Sequence, residues 1–232
     1  MNAEAESVTA VITAMTDGER RFLDAAVDAA IADPAVRQIV LCVEQGNSWV
    51  RAYPGVEIVR LPMMLAGAAR NRGVDRAHGQ WIAFCDGDDV WRPGKTEVQL
   101  RYAKRRDAEI VGCCHDLMDE SGCTRAAGLA LRVPMTSSWL VRRTVLARVR
   151  FSETLSCAED NDWWERTAQF TRVRCPSRLL NYRVRADSLS AGVSSKDRKQ
   201  WVVDAARHAV LGPLIALASW IRWCAWSWKT TF

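Results

Sequence analysis

Four short apolar runs, Val8 to Met15, Gln38 to Val43, Val56 to Leu61 and Trp81 to Cys85, restrict the fold more than any other feature. Helix-length segments stand between the first and second runs and between the third and fourth. The first, opened by the capping box Thr16-Asp17-Gly18-Glu19, turns Phe22, Leu23, Ala26, Val27, Ala30 and Ile31 inward and stops at Asp33-Pro34. The second runs from about Ala66 to His78 and ends at Gly79. Strand, helix and strand in this succession predict a parallel sheet flanked by helices, because parallel neighbours need a crossover that a tight turn cannot supply. In such α/β sheets ligands bind beyond the carboxyl ends of the strands. Glu44, after the second run, and Asp86, after the fourth, therefore belong to one rim.

The fourth strand delivers three acids within four residues, Asp86, Asp88 and Asp89. Carboxylates this close repel one another and raise one another's pKa unless a cation compensates, and oxygen-only ligands favour Mg2+ or Mn2+. A cation held by so few protein ligands keeps positions open for substrate phosphates. Arg70 and Arg72, on the preceding helix, offer positive charge to the same phosphates.

At 232 residues, with 49% of them hydrophobic, the chain can bury a full core. Its net charge of +5 is mild, and the basic runs Lys104-Arg105-Arg106 and Arg142-Arg143 are scattered, so no continuous nucleic-acid patch is expected. Eight cysteines without a Cys-x-x-Cys pair suit a reducing compartment. The acidic N-terminal tail, residues 1–7, lacks an apolar segment, which predicts a cytoplasmic location. After Pro93-Gly94 the sequence predicts a helix to about Arg106 and a strand from Glu109 to Cys113. An irregular excursion or hairpin, His115 to Pro134, comes next. Ser137 to Val149 reads as a strand running into a short helix, and a tryptophan-bearing helix spans about Asn161 to Gln169. Strand pieces at Arg172 to Cys175 and Leu179 to Val184 complete this part.

Five elements in order then carry a resemblance: the N-terminal βαβ unit, Gly67-x-x-Arg70-Asn71-x-Gly73, Asp86-Gly87-Asp88-Asp89, Glu159-Asp160 with Trp163 and Arg166, and Tyr182-Arg183 followed by Ser188-Leu189-Ser190. Over about residues 8–192 the chain resembles the family 2 glycosyltransferases. The resemblance implies a GT-A fold at residues 8–195, with a nucleotide-sugar-binding half at 8–114 and an acceptor half at 115–195. It implies inverting transfer of a sugar from a nucleotide-sugar, a UDP-sugar foremost, to an acceptor hydroxyl on a glycan, a lipid-linked carrier or a small molecule. Matched position by position, Glu44 faces the nucleobase, Arg70 lies near the base and diphosphate, and Asp86 lies near the ribose. Asp88 holds the Mg2+ or Mn2+ ion with Asp89 in support, and Thr13 lines the donor site. Asp160 takes the place of the base that activates the acceptor, with Glu159, Trp163 and Arg166 supporting it. A capping role at the helix start is the structural alternative for Glu159 or Asp160.

The sequence departs from the family pattern in three places. Glu44-Gln45 replaces a frequent pair of aspartates. Ile12-Thr13-Ala14-Met15-Thr16 lacks the aromatic residue that stacks on the base. Arg185 stands where many relatives carry a histidine, and arginine cannot ligate a metal, although it can reach a diphosphate. These departures leave room for a degenerate relative that binds nucleotide without turnover. Asp86-Gly87-Asp88-Asp89-Val90 also resembles the signature of haloacid-dehalogenase-like phosphatases, in which Asp86 is the nucleophile. Residues 196–232 form a predicted helical segment. Trp220, Trp223 and Trp226 lie nearly on one side of its 214–228 stretch, which fits either an interfacial membrane contact or packing on protein, a homodimer partner included.

Overall fold

The computed structural model describes residues 6–128 and 135–185. The expectations for the N-terminal tail, for Ser188-Leu189-Ser190 and for the segment 196–232 lie outside the described residues. In chain order the elements are β1 (Val8–Ala14), α1 (Leu23–Ile31), β2 (Val36–Glu44), β3 (Val56–Leu61), α2 (Ala66–Arg76), β4 (Trp81–Asp86) and β5 (Val90–Trp91). They continue with α3 (Lys95–Arg106), β6 (Ile110–Met118), β7 (Thr124–Gly128), β8 (Leu140–Arg142), α4 (Arg143–Arg148), α5 (Glu159–Arg166) and β9 (Arg172–Arg183).

All described strands share one mixed sheet in the order β3-β2-β1-β4-β8-β6-β9-β5, with β7 paired to β6. The first four are mutually parallel, and β8 runs antiparallel to both β4 and β6. This is the α/β, GT-A-like architecture that the sequence predicts, and it is built by alternation. On β1, Ala10, Ile12 and Ala14 face one side with Leu23, Val27 and Ala30 of α1. Val11 faces the other side with Val74 of α2, Val145 and Leu146 of α4 and Trp163 of α5. A strand buried on both faces reads as a near-continuous apolar run without a period-two pattern, here broken only by Thr9 and Thr13, whose hydroxyls donate to Gln38 and Asp86.

Three details differ from the expectation. The capping box forms, Thr16 N–H and hydroxyl both donating to Glu19, but it opens a 3-10 turn at Asp17–Glu19, and α1 begins only at Leu23. Ile31, expected inside, is 48% exposed at the helix end. The two late strand pieces are one strand, β9. Its pairing with β6 passes from Cys113↔Cys175 to Cys114↔Arg178, so Pro176 and Ser177 bulge out where proline cannot donate to the ladder. The excursion after His115 is a hairpin of β6 and β7. Its turn is held by Asp119, whose carboxylate accepts from the Ser121 hydroxyl and from Cys123 N–H at 2.6 and 3.0 Å.

Candidate active site

The predicted residues gather at the carboxyl ends of β1, β2 and β4. Thr13 and Asp86 are cross-strand partners, and the Thr13 hydroxyl donates to Asp86 Oδ1 at 3.3 Å. The next residue, Gly87, donates its N–H to Thr13 O at 2.8 Å. A Cβ there would sit 2.9 Å from the Ala14 methyl, so only glycine lets the acidic loop fold this tightly against β1. Ser137 Oγ accepts from Asp86 N–H at 2.9 Å and anchors the strand end from the opposite side.

Arg70 is the hinge of the site. Only 6% of its side chain is exposed, and its guanidinium donates to Asp86 Oδ1 at 2.8 Å and to Glu159 Oε1 at 2.6 Å. Burial works against the arginine's charge, but the two carboxylates outweigh it and raise its pKa above the ordinary value. The Gly67-x-x-Arg70-Asn71-x-Gly73 segment makes this reach possible. A Cβ on Gly67 would come within 2.2 Å of Ser152 O. Asn71 pins the neighbouring Phe151 backbone, donating to its carbonyl at 3.0 Å and accepting from its N–H at 3.1 Å. The Arg-Asn pair thus ties α2 to the loop that leads into α5.

That loop ends at Ala158, the N-cap of α5, in a left-handed conformation with φ +59°. For a residue with a Cβ this costs about 1–2 kcal/mol, a cost met where a backbone must present a particular side chain. Ala158 is the N-cap and makes no side-chain cap bond; Glu159 holds Arg70, and Asp160 Oδ1 accepts from the first-turn Asn161 N–H at 2.8 Å. Desolvation first, and the Glu159 charge second, raise the Asp160 pKa above the usual carboxylate value. Trp163 is fully buried, stacked on Trp139 with centroids 4.9 Å apart, and donates its indole N–H to Val149 O at 2.8 Å. Arg166 pairs with Asp162 at 2.6 Å and donates to Arg150 O at 2.8 Å. These two residues hold α5 in place.

The remaining acids divide their work. Asp89 is fully buried and accepts from Arg183 N–H at 2.8 Å, with a pKa raised well above normal by desolvation and then by Asp88. Asp88 is pushed up to about 6 by desolvation and by Asp86, while Arg185 pulls it down. Arg185 Nε lies 2.7 Å from Asp88 Oδ2. Glu44, at the end of β2, accepts from Gly46 N–H at 2.7 Å through one oxygen.

Among the described residues no cluster of three acidic, histidine or cysteine side chains surrounds a common point. Asp86 is paired with Arg70, Asp89 with Arg183 N–H and Asp88 with Arg185, so a hard cation could take a carboxylate from Asp88 only with Arg185 moved aside, its other ligands coming from phosphate and water. Two further residues, Glu19 and Arg183, stand at the site although the sequence marks neither of them as a site residue. Glu19 reads locally as a capping residue, yet it lies 3.9 Å from Arg185 and has its pKa raised, chiefly by burial. Arg183 donates through Nε to Asp88 O at 2.8 Å and through Nη1 to the carbonyls of Asp119 and Glu120. Its neighbour in the Tyr182-Arg183 motif was the available signal.

The glycosyl transferase family 2 model matches residues 34–152, more than half of the chain. The chain belongs to glycosyl transferase family 2. This family member is 26% identical over 115 residues to an uncharacterized glycosyltransferase of Methanocaldococcus jannaschii, covering 43% of this chain and 40% of that protein. It is 32% identical over 105 residues to the succinoglycan biosynthesis protein ExoO of Rhizobium meliloti, covering 45% and 24%. The matches thus span less than half the length of these relatives. Among solved structures, S. aureus TarS in complex with UDP-GlcNAc superposes with a TM-score of 0.64 at 10% identity, over 90% of this chain and 69% of that one, which establishes the shared fold. The phosphatase alternative falls with this assignment. The nearest following lysine, Lys95, is moreover fully buried with its ammonium 4.4 Å over the Trp91 ring rather than beside Asp86.

Proposed function

We propose that this family 2 member transfers a sugar from a nucleotide-sugar, with inversion at the anomeric carbon, to an acceptor hydroxyl. The observation that carries the proposal is the Arg70 bridge. One buried guanidinium joins Asp86, on the rim expected to hold the donor, to Glu159, the immediate neighbour of the proposed base. An inverting displacement needs a leaving diphosphate on one side of the anomeric carbon and a base on the other, held in fixed relation.

In this reading Asp160 accepts the acceptor's proton. Its raised pKa suits the task, because a base with a pKa nearer the working pH binds the proton more firmly. Glu44 keeps one oxygen beyond its contact with Gly46 N–H, which suits a nucleobase N–H such as that of uracil. The UDP-GlcNAc bound to S. aureus TarS makes UDP-sugars the first donors to test. Thr13 and Asp86 line the ribose side, and Asp88 would hold Mg2+ or Mn2+ against the diphosphate with Asp89 fixing the loop behind it. Such a cation stabilises the charge that develops on the leaving diphosphate. Arg70, whose guanidinium is already committed to two carboxylates, sets the geometry of both. The acceptor is proposed to be a glycan, a lipid-linked carrier or a small molecule, met in the cytoplasm, with residues 214–228 resting on the membrane face or on a second copy of the chain.

Release of UDP from a panel of UDP-sugars, followed with and without acceptors, tests the proposal. Asp160→Asn is expected to leave donor binding intact and to cut turnover by about 10²–10⁴. Asp88→Ala is expected to abolish cation-dependent donor binding. Normal turnover by Asp160→Asn would remove the base assignment. A relative that only binds nucleotide, a reading favoured by Arg185 on Asp88, would bind the donor yet release no UDP under any condition.

A further inference from the structure

Arg185, Asp88 and Glu19 form a nearly closed charge set, with side chains 7%, 14% and 15% exposed. Arg185 Nε is 2.7 Å from Asp88 Oδ2, and its Nη2 is 3.9 Å from Glu19 Oε1. Glu19 is itself fixed, because its other oxygen accepts from the Thr16 N–H and hydroxyl. The guanidinium thus stands between two carboxylates, 2.7 Å from Asp88 and 3.9 Å from Glu19. Arg183 cannot take its place. That side chain is spent on three backbone carbonyls and stacks on Phe22, its guanidinium carbon 4.1 Å from the ring centroid.

The geometry points to Arg185 as a resident counter-ion that makes cation binding at Asp88 conditional on the nucleotide. The inference rests on the reading of Asp88 as the cation's ligand. Arginine stays protonated in a protein, so a divalent cation and the guanidinium cannot share Asp88 without strong repulsion in a site this dry. A bare cation must drive Arg185 off Asp88 toward Glu19. A nucleoside diphosphate relieves this by giving Arg185 a second anionic partner while it supplies phosphate oxygens to the cation. Cation and nucleotide then strengthen each other's binding, and linkage makes the effect reciprocal. Glu19 is the positioning residue that receives the displaced guanidinium.

Mn2+ binding to the full chain, read from loss of the free-ion EPR signal and by calorimetry, tests this with UDP, GDP, ADP, CDP and dTDP as nucleotides. For the wild-type chain, the nucleotide that binds is expected to tighten Mn2+ by at least about tenfold. Arg185→Gln is expected to bind Mn2+ alone about fivefold or more tighter, to bind the nucleotide alone more weakly, and to reduce the mutual enhancement below about threefold. Glu19→Gln is expected to move the other way and weaken Mn2+ alone, a contrast that general loss of structure cannot produce. If Arg185→Gln does not fold, Arg185→Lys, which keeps the charge without the planar fork, is expected to show a smaller change of the same sign. Mn2+ binding by the Arg185 variants at or below wild-type affinity, with the nucleotide enhancement unchanged, overturns the inference alone. A wild-type chain that binds neither Mn2+ nor any of the five nucleotides overturns the reading of Asp88, and the inference with it.

Discussion

Replacing Arg70 by methionine keeps the length of the side chain and removes the charge that joins the two halves of the site. In the wild type the guanidinium contacts Asp86 and Glu159, and 6% of the arginine side chain is exposed against 32% and 13% for its partners. Breaking a buried pair by removing one partner costs about 3–5 kcal/mol, since the stranded carboxylates lose their counter-charge. Asp86 is about a third exposed and recovers part of its hydration, so the lower end, ~3 kcal/mol, is expected for Arg70→Met. For a chain of this size that corresponds to a fall in Tm of roughly 6–12 °C. Adding Glu159→Gln removes one stranded charge and is expected to restore at least about 1 kcal/mol, a coupling that a double-mutant cycle by urea unfolding measures. A Tm within 2 °C of wild type at pH 7, or a double variant no more stable than Arg70→Met alone, would refute the bridge as the hinge of the site (~0.5–1 kcal/mol by the same scaling).

With Asp160 as the proposed base, its raised pKa is expected to put the acidic limb of the kcat/KM profile above the usual aspartate range, and Glu159→Gln, which removes a neighbouring charge, is expected to move that limb to lower pH. Gly67→Ala forces a methyl onto Ser152 O, and overpacking of this kind lowers stability by about 1–3 kcal/mol, to be read from chemical denaturation. Burial pushes the His115 imidazole down to about 4, against a small opposing effect of Asp116. Its neutral form thus contributes stability that is present above pH ~6.5 and lost as the pH falls toward 4, up to ~3 kcal/mol, and His115→Phe is expected to flatten that part of the stability profile.

The parallel half of the molecule was legible in the sequence because each of its elements is specified locally. β1, β2 and β4 are mainly apolar runs, β3 alternates Val56, Ile58 and Val59 with Glu57 and Arg60, and α2 is flanked by glycines that pack closely. The second half is specified by pairing at a distance. β5 is two residues long and exists because Val90 and Trp91 meet Asn181 and Leu180, and the bulge at Pro176 is meaningful only against β6. Ile31 was misplaced because a helical period continues past the point where the neighbouring elements end.

The site divides in the same way. The three acids after β4 announce themselves by crowding. The partner that Arg70 finds in Glu159 lies 89 residues away, and nothing local signals it. Glu19 was hidden by a capping box that is real and accounts for one face of its carboxylate, while the other face turns toward Arg185. Arg185 itself was visible as a departure from the family pattern. Its contact with Asp88 emerges only when β9 carries it back alongside the acidic loop.

The most direct test of the central claim is a thermal-shift panel of UDP, GDP, ADP, CDP and dTDP, each with Mn2+ and with EDTA. A ligand at about 100 times its Kd adds about 2.7 kcal/mol, or roughly 5–10 °C for a chain of this size. The account predicts that one nucleotide, UDP foremost, raises Tm by this amount with Mn2+, and that EDTA or Asp88→Ala removes most of the shift. No shift with any of the five nucleotides would contradict it.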